Sequence, residues 1–550
     1  MRVPPSPRNL VSAAAAAVFC VALAPFLWST TFFTDDHLLL AFARYTPNPL
    51  AAFGHDLHGG EFYRPLSMSL WWLLARLGGG GFAPFAVVGA TLHLLVAVQI
   101  AWWWRALGGE RAAAWSAAAF FWLSPETREA ALWAAAFPDL LGTALVLGSL
   151  LALLRERRTT AIALGACAFL TKESAIVLPA LAALVLIVRA RGVRRGEGST
   201  GGERGPSPSG PVQSQVALTP VRRGEGRSEG SGKPPSHDFS ATLRAHPRDL
   251  AVLAVLGLLA AAYLLARWRV LGGWGGTGDP RAPLVGRLLQ ILSGLVHVVT
   301  GADIFPEPLA WGAGVAVLAV AVLAAWRARG RVGSARALLA PLAFTAIAVL
   351  PLLAAGWIIG ARYFYLPAVG LAWLVGQAVG EASAAWRAGG LLLMLLLGSI
   401  QTLSRHADVA AYDRRVTAAR RAVIDGLAHG HRVFHIAGGV KDLDLAVKES
   451  PALRAAEDQV LILGDVPASF VAIPPDLEPA AAFLIAQPPL PPSGAYHFGP
   501  RRVVGLARRG DEPTLEELVA RFPDVRFIRL RAAGGDRVVA RDVTPTINEE

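Results

Sequence analysis

The sequence contains few cysteines and few charged residues for its length. Only two cysteines, Cys20 and Cys167, occur in 550 residues, and both lie within apolar runs. They provide neither a disulfide framework nor the ligand spacing of a metal site. Charged residues make up 17% of the chain and hydrophobic residues 54%. A soluble protein of this length is therefore excluded, because repeated apolar runs of about 15–25 residues are typical of transmembrane helices.

Acidic residues are also fewer than basic ones, which gives a formal net charge of +12 and an isoelectric point near 10.4. A basic chain can indicate nucleic-acid binding. Here, however, the arginines cluster in short loops at the ends of the apolar runs, where they set the orientation of transmembrane helices. We therefore predict the lipid bilayer as a partner and no nucleic acid.

The apolar runs predict about eleven membrane spans. They lie at 10–30, 82–104, 111–124, 138–154, 159–171, 174–189, 249–267, 308–326, 336–353, 364–380 and 388–403. Arginine-rich loops fall at alternate ends of successive spans, which places the N-terminus in the cytoplasm and the C-terminal region outside. Residues 1–28 also resemble a signal peptide, but the many further spans favour an uncleaved anchor. The predicted location is the inner (cytoplasmic) membrane.

Lys172 and Glu173 interrupt an apolar run at 159–189. A single helix would place the arginines at 155–158 and 189–195 on opposite sides of the bilayer, whereas a hairpin of two short spans keeps both inside. The hairpin is therefore predicted. Its first arm has about 12 apolar residues, roughly 18 Å, against a hydrocarbon core near 30 Å. Lys172 is thus expected to be recessed and to face protein or water.

Two other apolar segments, 62–77 and 283–300, do not fit the alternation of charges. They are predicted to be interfacial helices on the outer face, with Tyr63, Trp71 and Trp72 at headgroup level. Asp139 is placed near the same face, because Pro138 suits the first turn of a span.

The predicted fold class is mainly α, a polytopic membrane bundle with a small C-terminal α/β domain. We expect an N-terminal catalytic membrane module at 1–190 and further membrane helices at 249–403. Residues 191–248 are rich in Gly, Ser, Pro and Arg and predict a disordered cytoplasmic linker. Residues 404–550 predict the extracytoplasmic α/β domain. Its strand patterns lie at His431–Ala437, Gln459–Gly464, Ala482–Ala486, Arg502–Ala507, Val525–Leu530 and Arg537–Arg541, with helices near 407–428 and 514–521.

Four polar clusters interrupt the apolar sequence on the predicted outer face. They are Asp35-Asp36, the segment from Pro125 to Glu129, Lys172-Glu173, and the segment from Arg362 to Tyr365. Adjacent carboxylates suit a general base whose pKa is raised by its neighbour, or a divalent-cation site, or a solvated loop. The arginines suit a bidentate grip on phosphate, although arginines beside a membrane also snorkel to headgroups.

Together these clusters predict a site for a lipid-linked phosphate donor, whose anionic leaving group is stabilised by cations. Two other classes stay open. A transporter or flippase of lipid-linked saccharides is less favoured, since transporters place polar sites near the midplane between repeated halves. A non-catalytic membrane scaffold acting through the C-terminal domain is the third.

In order along the chain, these motifs resemble the GT-C superfamily of polyprenyl-phosphate-sugar-dependent glycosyltransferases, in particular protein O-mannosyltransferase-like membrane enzymes. The matching positions are Asp35-Asp36, then Tyr63 to Leu66, then Pro125, Glu129, Ala130, Trp133, Pro138, Asp139, Leu140 and Leu141, then Lys172-Glu173, and finally Arg362, Tyr365, Leu366 and Pro367. The stretch Tyr263, Arg267 and Leu271-Gly272-Gly273 is also similar. No repeat of about 34 residues follows in the sequence. The way in which repeat-bearing relatives recognise their acceptors therefore cannot be transferred to this chain.

The resemblance implies an inverting transfer of a hexose or pentose from a polyprenyl-phosphate carrier to a protein, glycan or lipid acceptor of the cell envelope. It implies Asp35 as the general base, with Asp36 and Glu129 as the other catalytic acids. Arg64, Lys172 and Arg362 are expected to bind the donor phosphate. Acceptor binding or structural support is expected from Tyr63, Asp139, Glu173 and Tyr365. No cofactor and no metal are expected, with a divalent cation as the alternative.

Overall fold

The structure is a computed structural model of the chain. It describes residues 31–54, 62–199, 247–271, 283–301, 307–332, 336–355, 361–380, 382–437, 443–448, 450–456, 459–464, 495–498, 501–504, 525–532 and 537–542. The predicted first span at 10–30, the strand at 482–486 and the helix at 514–521 lie outside these residues. Most of the predicted linker does as well.

The N-terminal half is a bundle of helices broken at prolines and polar residues. Its helices are α1 (Asp35–Tyr45), α2 (Pro65–Leu77), α3 (Ala83–Ala106), α4 (Arg111–Leu123), α5 (Pro125–Leu132), α6 (Phe137–Leu154), α7 (Arg158–Thr171) and α8 (Leu178–Ser199). Proline starts several of them, where its missing N–H has no partner to lose. Short 3₁₀ turns at Pro49–Phe53, Ala134–Ala136 and Glu173–Val177 connect them.

The second half continues with further helices. They are α9 (Pro247–Leu271), α10 (Leu284–Thr300), α11 (Glu307–Val332), α12 (Arg336–Ala355), α13 (Pro367–Gly380) and α14 (Ala384–Ala428). A 3₁₀ turn at Ala361–Phe364 precedes α13. The mainly helical fold class is confirmed.

Five helical segments in the described part of the chain are long and apolar enough to cross a membrane. They are Ala83–Ala106, Ala134–Leu154, Glu173–Ala190, Pro247–Leu271 and Ala384–Ala428. Five shorter apolar helices accompany them, at Arg158–Thr171, Leu284–Thr300, Pro308–Val320, Leu339–Leu353 and Pro367–Val379. By length and composition, the chain is a multi-pass membrane protein.

The hairpin predicted at 159–189 is present. Helix α7 ends at Thr171, Lys172 has an extended backbone, and a 3₁₀ turn leads into α8. Helix α8 continues to Ser199, so the first residues of the predicted linker are helical and not disordered. The physical reason is that residues 191–199 directly extend an established helix, and adding residues to a helix costs less than starting one.

The charged residues at the two ends of the bundle differ. Asp35, Glu129, Lys172 and Arg362 lie at one end, as described below. At the opposite end of α6 and α7, Arg158 pairs with Asp249 at 2.9 Å and Arg189 pairs with Glu156 at 2.6 Å. The arginine loops and the polar clusters are therefore separated by the length of the helices, as the alternation of charges requires.

Helix α14 is a single helix of 45 residues that extends beyond the predicted span at 388–403. The helix predicted near 407–428 is its second half, and the proposed domain boundary at residue 404 falls inside it. Beyond it lie β1 (Val433–Ala437), α15 (Leu443–Lys448), α16 (Pro451–Ala455), β2 (Leu461–Gly464), β3 (Ala495–Phe498), β4 (Arg501–Val504), β5 (Val525–Ala532) and β6 (Val538–Asp542).

Four of these strands form a mixed sheet in the order β2-β1-β5-β6. Strand β1 is parallel to both β2 and β5, whereas β5 and β6 are antiparallel. One sheet face buries Phe434, Ile436 and Ile528 against Val416 and Val423 of α14. Helix α14 thus contributes to two cores: Met394, Leu395 and Leu397 pack in the bundle, and Tyr412, Val416 and Val423 pack in a separate cluster with the sheet.

Candidate active site

The carboxylates of Asp35 and Asp36 begin helix α1 and have different surroundings. Asp35 forms an ion pair with Arg362, with 3.0 Å between carboxylate and guanidinium, and both side chains are partly exposed. Asp36 is 1% exposed. Its carboxylate accepts hydrogen bonds from the backbone N–H of Phe33 at 2.9 Å and of Ala135 at 2.6 Å. Asp35 is therefore accessible, whereas Asp36 joins the start of α1 to the turn at Ala134–Ala136.

Burial raises the pKa of Asp36 to about 7. The two backbone donors lower this pKa, the neighbouring Asp35 charge raises it, and the Arg405 charge lowers it. Asp36 lies outside the candidate membrane spans, and it takes up or loses a proton near neutral pH.

Lys172 lies in a recess between α7 and the 3₁₀ turn that follows. Its side chain is 2% exposed, and its ammonium lies 2.9 Å from the Asp139 carboxylate and 4.0 Å from that of Glu173. Gly142 on α6 makes room for it, since a Cβ there would lie 3.1 Å from the Lys172 Cβ. The recessed position predicted for Lys172 is confirmed, and Asp139 is its direct partner.

Arg64 donates two hydrogen bonds to the Glu173 carboxylate, one from Nε at 2.7 Å and one from Nη2 at 2.5 Å. Glu173 also interacts electrostatically with Lys172 and with Arg267 of α9. Such bidentate pairing fixes the guanidinium plane. Arg64, Lys172, Arg267 and Arg362 thus lie near three carboxylates, those of Asp35, Asp139 and Glu173.

Aromatic rings connect these charges. The Arg362 guanidinium lies 4.3 Å from the centroid of the Trp133 ring and 5.3 Å from that of Tyr363. The Lys172 ammonium lies 4.7 Å from the same Tyr363 ring. Tyr363 therefore stands between the two cations, and the clusters around residues 35, 172 and 362 form one continuous group.

Glu129 is linked to this group through Gln401 and Arg405, which the sequence did not predict as site residues. Its carboxylate accepts a hydrogen bond from the Gln401 amide at 2.8 Å and lies 3.9 Å from Arg405. Arg405 stacks on Phe33 at 4.1 Å and on Trp133 at 4.7 Å. Gln401 and Arg405 lie four residues apart on one face of α14, and that spacing was the available signal.

Of the three aromatic residues expected at headgroup level, Tyr63 and Trp71 are buried and Trp72 is half-buried. The expectation that Tyr63 and Trp71 lie at headgroup level is wrong, because both side chains are almost fully buried. The Trp71 indole donates a hydrogen bond to the Ala134 carbonyl, and Tyr63 stacks on Tyr263. Tyr365 is also buried, with its hydroxyl 2.7 Å from Nδ1 of His93. Both tyrosine side chains are therefore held inside the bundle by packing and hydrogen bonds.

Among the described residues, no group of three or more histidines, cysteines, aspartates or glutamates is arranged to hold a metal ion. Whether the reaction needs a metal stays a prediction from the sequence.

No family model and no curated protein matches this sequence. Among solved structures, the chain is similar to an archaeal oligosaccharyltransferase, AglB from Archaeoglobus fulgidus, in complex with an inhibitory peptide and a dolichol-phosphate. The likeness covers 79% of this chain and 63% of that one, with 12% identity and a TM-score of 0.38. The chain thus spans less than two thirds of that protein's length. A likeness at this TM-score supports no conclusion about the site or its chemistry.

Proposed function

We propose that this chain is a membrane glycosyltransferase that moves a sugar from a polyprenyl-phosphate carrier to an acceptor outside the cytoplasmic membrane. One observation carries the proposal. Asp35, Glu129, Lys172 and Arg362 come from segments more than three hundred residues apart, yet contacts of a few ångström link all of them. Buried charged groups in a membrane protein are energetically costly, so they are rare and are retained mainly where they serve a function.

The partners of each residue suggest its role. Asp35 is the accessible carboxylate of the cluster and serves as the general base. Asp36 and Glu129 are held by hydrogen bonds and position the segments around it. Arg362, Lys172 and Arg64 face the carboxylates of Asp35, Asp139 and Glu173, so a donor phosphate would share these cations with the acids already present.

The reaction follows as a single displacement. Asp35 takes the proton of the acceptor hydroxyl while the acceptor oxygen forms a bond to the anomeric carbon. The bond between that carbon and the carrier phosphate breaks, and its electron pair leaves on the phosphate oxygen. Cations at that oxygen stabilise the charge that develops there. Attack from the opposite side of the ring inverts the anomeric centre.

The charged groups of the candidate site lie at one end of the bundle and not at its middle. This favours the enzyme over a transporter, whose binding groups lie near the midplane.

Two substitutions test the proposal in the full chain reconstituted in nanodiscs. Binding of polyprenyl phosphate is measured together with turnover of a panel of polyprenyl-phosphate hexoses and pentoses. We expect Asp35→Asn to abolish turnover and keep binding, because the amide cannot take the proton. Arg362→Met is expected to weaken binding at least about tenfold, as loss of a charge-assisted pair does.

Arg76→Met is the matched control, because this exposed arginine stacks on Trp72 outside the charged group. It should leave both measurements unchanged. Full turnover by the Asp35→Asn variant, or equal effects of Arg362→Met and Arg76→Met on binding, would contradict the proposal.

A further inference from the structure

The face of the C-terminal sheet that points away from α14 carries a concentration of arginines. Side chains alternate between the two faces of a strand. Ile528 of β5 packs against α14, so the odd-numbered neighbours Arg529 and Arg531 point to the other face, and both are exposed. Arg541 of β6 is exposed on that same face. We call Arg529, Arg531 and Arg541 the arginine face.

Strand register places two of these arginines side by side. Arg529 lies directly opposite Arg541, and Arg531 lies opposite Val539. Like charges at directly opposite positions destabilise an antiparallel pair. The described side chains on this face of β5 and β6 are those of Arg529, Arg531, Val539 and Arg541, and none of them is acidic. Residues 404–550 contain nearly equal numbers of acidic and basic residues, so the positive charge is local to this face.

Protection of a sheet edge explains only part of this pattern. Charged side chains on an edge strand prevent pairing with other chains, and β6 is an edge strand. Strand β5, however, lies between β1 and β6. Arg529 and Arg531 therefore protect no edge.

We propose that the arginine face binds a polyanion, a polymer that carries carboxylate or phosphate groups along its length. Same-face neighbours along a strand are about 6.8 Å apart, and directly opposite residues about 5 Å apart. Guanidinium groups at this spacing bind successive anionic groups with two hydrogen bonds each. A bound polyanion would also remove the repulsion between Arg529 and Arg541.

The bilayer itself does not fit as the partner. The sheet packs on α14 between Tyr412 and Val423, which are 9 to 20 residues beyond the predicted end of the last span at residue 403. At 1.5 Å per residue this is roughly 14–30 Å. The attraction of lipid headgroups is screened within about 8 Å at physiological salt. Towards β1 and β2 the same sheet face buries Val433 and Leu461 in the core cluster of the bundle, so the arginine face is confined to β5 and β6. There we infer a partner in the aqueous phase.

The test uses the full chain in nanodiscs of zwitterionic lipid. Binding of polygalacturonate, a carboxylate polymer, and of polyphosphate is measured at two salt concentrations. We expect salt-sensitive binding of at least one polymer, weakened about tenfold or more in the Arg529→Gln/Arg541→Gln variant. The polymer that binds more tightly identifies the anionic group.

The Arg414→Gln/Arg415→Gln variant is the matched control, because it removes two exposed arginines from α14. It should bind as the unmodified chain does. Arg529→Gln/Arg531→Gln provides a second variant that leaves the edge strand unchanged, and it should also bind weakly. Equal binding by all variants would overturn the proposal. Binding to anionic vesicles but to neither polymer would also overturn it, in favour of a lipid surface.

Discussion

Asp35 and Asp36 are neighbours in sequence but have different protonation chemistry in the fold. Burial raises the pKa of Asp36 to about 7 in the folded chain, whereas the ordinary pKa of an aspartate is 3.8. Between these values the folded chain holds a proton that the unfolded chain lacks. Stability therefore falls as pH rises from about 4 to 7, by up to about 1.4 kcal/mol per pH unit.

We predict that Asp36→Asn removes this pH dependence, because the amide does not ionise. The measurement is the midpoint of thermal unfolding from pH 4 to 7.5 in nanodiscs. Asp408→Asn, at an exposed position of α14, should leave the pH dependence unchanged. An Asp36→Asn variant with the same pH profile as the unmodified chain would show that Asp36 does not titrate in this range.

The buried pair of Lys172 and Asp139 gives a second prediction. Lys172→Met leaves the Asp139 carboxylate buried without its ammonium partner, which costs about 3–5 kcal/mol. Lys172→Met/Asp139→Leu removes both charges and should recover most of that stability, while binding of polyprenyl phosphate stays weak. Unfolding midpoints and binding measured on the same samples separate the two effects. Restored binding in the double variant would exclude Lys172 from the phosphate site.

The charged residues of the candidate site could be predicted from the sequence, since each interrupts an apolar run. Their partners were not. Nothing local in the sequence pairs Arg64 with Glu173 or Arg362 with Asp35, because these contacts are set by how distant helices pack. Arg405 was not predicted for a different reason. It follows the predicted end of the last span at residue 403, where the hydropathy falls.

At the scale of elements, the end of α4 and helix α5 are packed closely by their neighbours. A Cβ at Gly398 of α14 would lie 2.5 Å from the Leu123 carbonyl oxygen, and one at Gly89 of α3 would lie 2.6 Å from the Ala131 carbonyl oxygen. Both contacts are with backbone, which moves only at high cost. Glycine is therefore needed where α3 and α14 approach the segment that carries Glu129.

We predict that Gly398→Ala destabilises the chain by about 1–3 kcal/mol, because the added methyl group forces α14 away from that segment. The matched control is Gly390→Ala on the same helix, where no atom lies within 4 Å of the added carbon. It should be neutral or stabilising by up to about 1 kcal/mol through helix propensity. Unfolding midpoints of the two variants check this, and equal effects would show that α14 is not closely packed at Gly398.

Most helix positions followed from hydropathy, and the hairpin at 159–189 followed from the distribution of arginines. The continuity of α14 could not be predicted from hydropathy. A membrane span and a soluble helix differ in composition but have the same backbone, so the change at residue 404 marks a change of surroundings and not a helix end. Trp71 was misplaced because tryptophan favours both interfaces and cores.

At the scale of the whole molecule, the proposed function depends on which side of the membrane each end of the bundle faces. The polar cluster lies at one end of α6 and α7, and the ion pairs of Arg158 and Arg189 lie at the other. The positive-inside rule predicts that the cluster faces the outside of the cytoplasmic membrane and that the arginine loops face the cytoplasm. Helix α14 extends from the cluster side, so the C-terminal sheet shares that side.

Cysteine labelling of intact cells measures this directly. In a background with Cys20 and Cys167 replaced by alanine, Leu50→Cys introduces a thiol at an exposed position close to α1, and Glu156→Cys introduces one at the opposite end of the bundle. A membrane-impermeant maleimide should label residue 50 in intact cells and residue 156 only after permeabilisation. Labelling of residue 156 in intact cells, with residue 50 protected until permeabilisation, would place the charged cluster in the cytoplasm and contradict the proposed function.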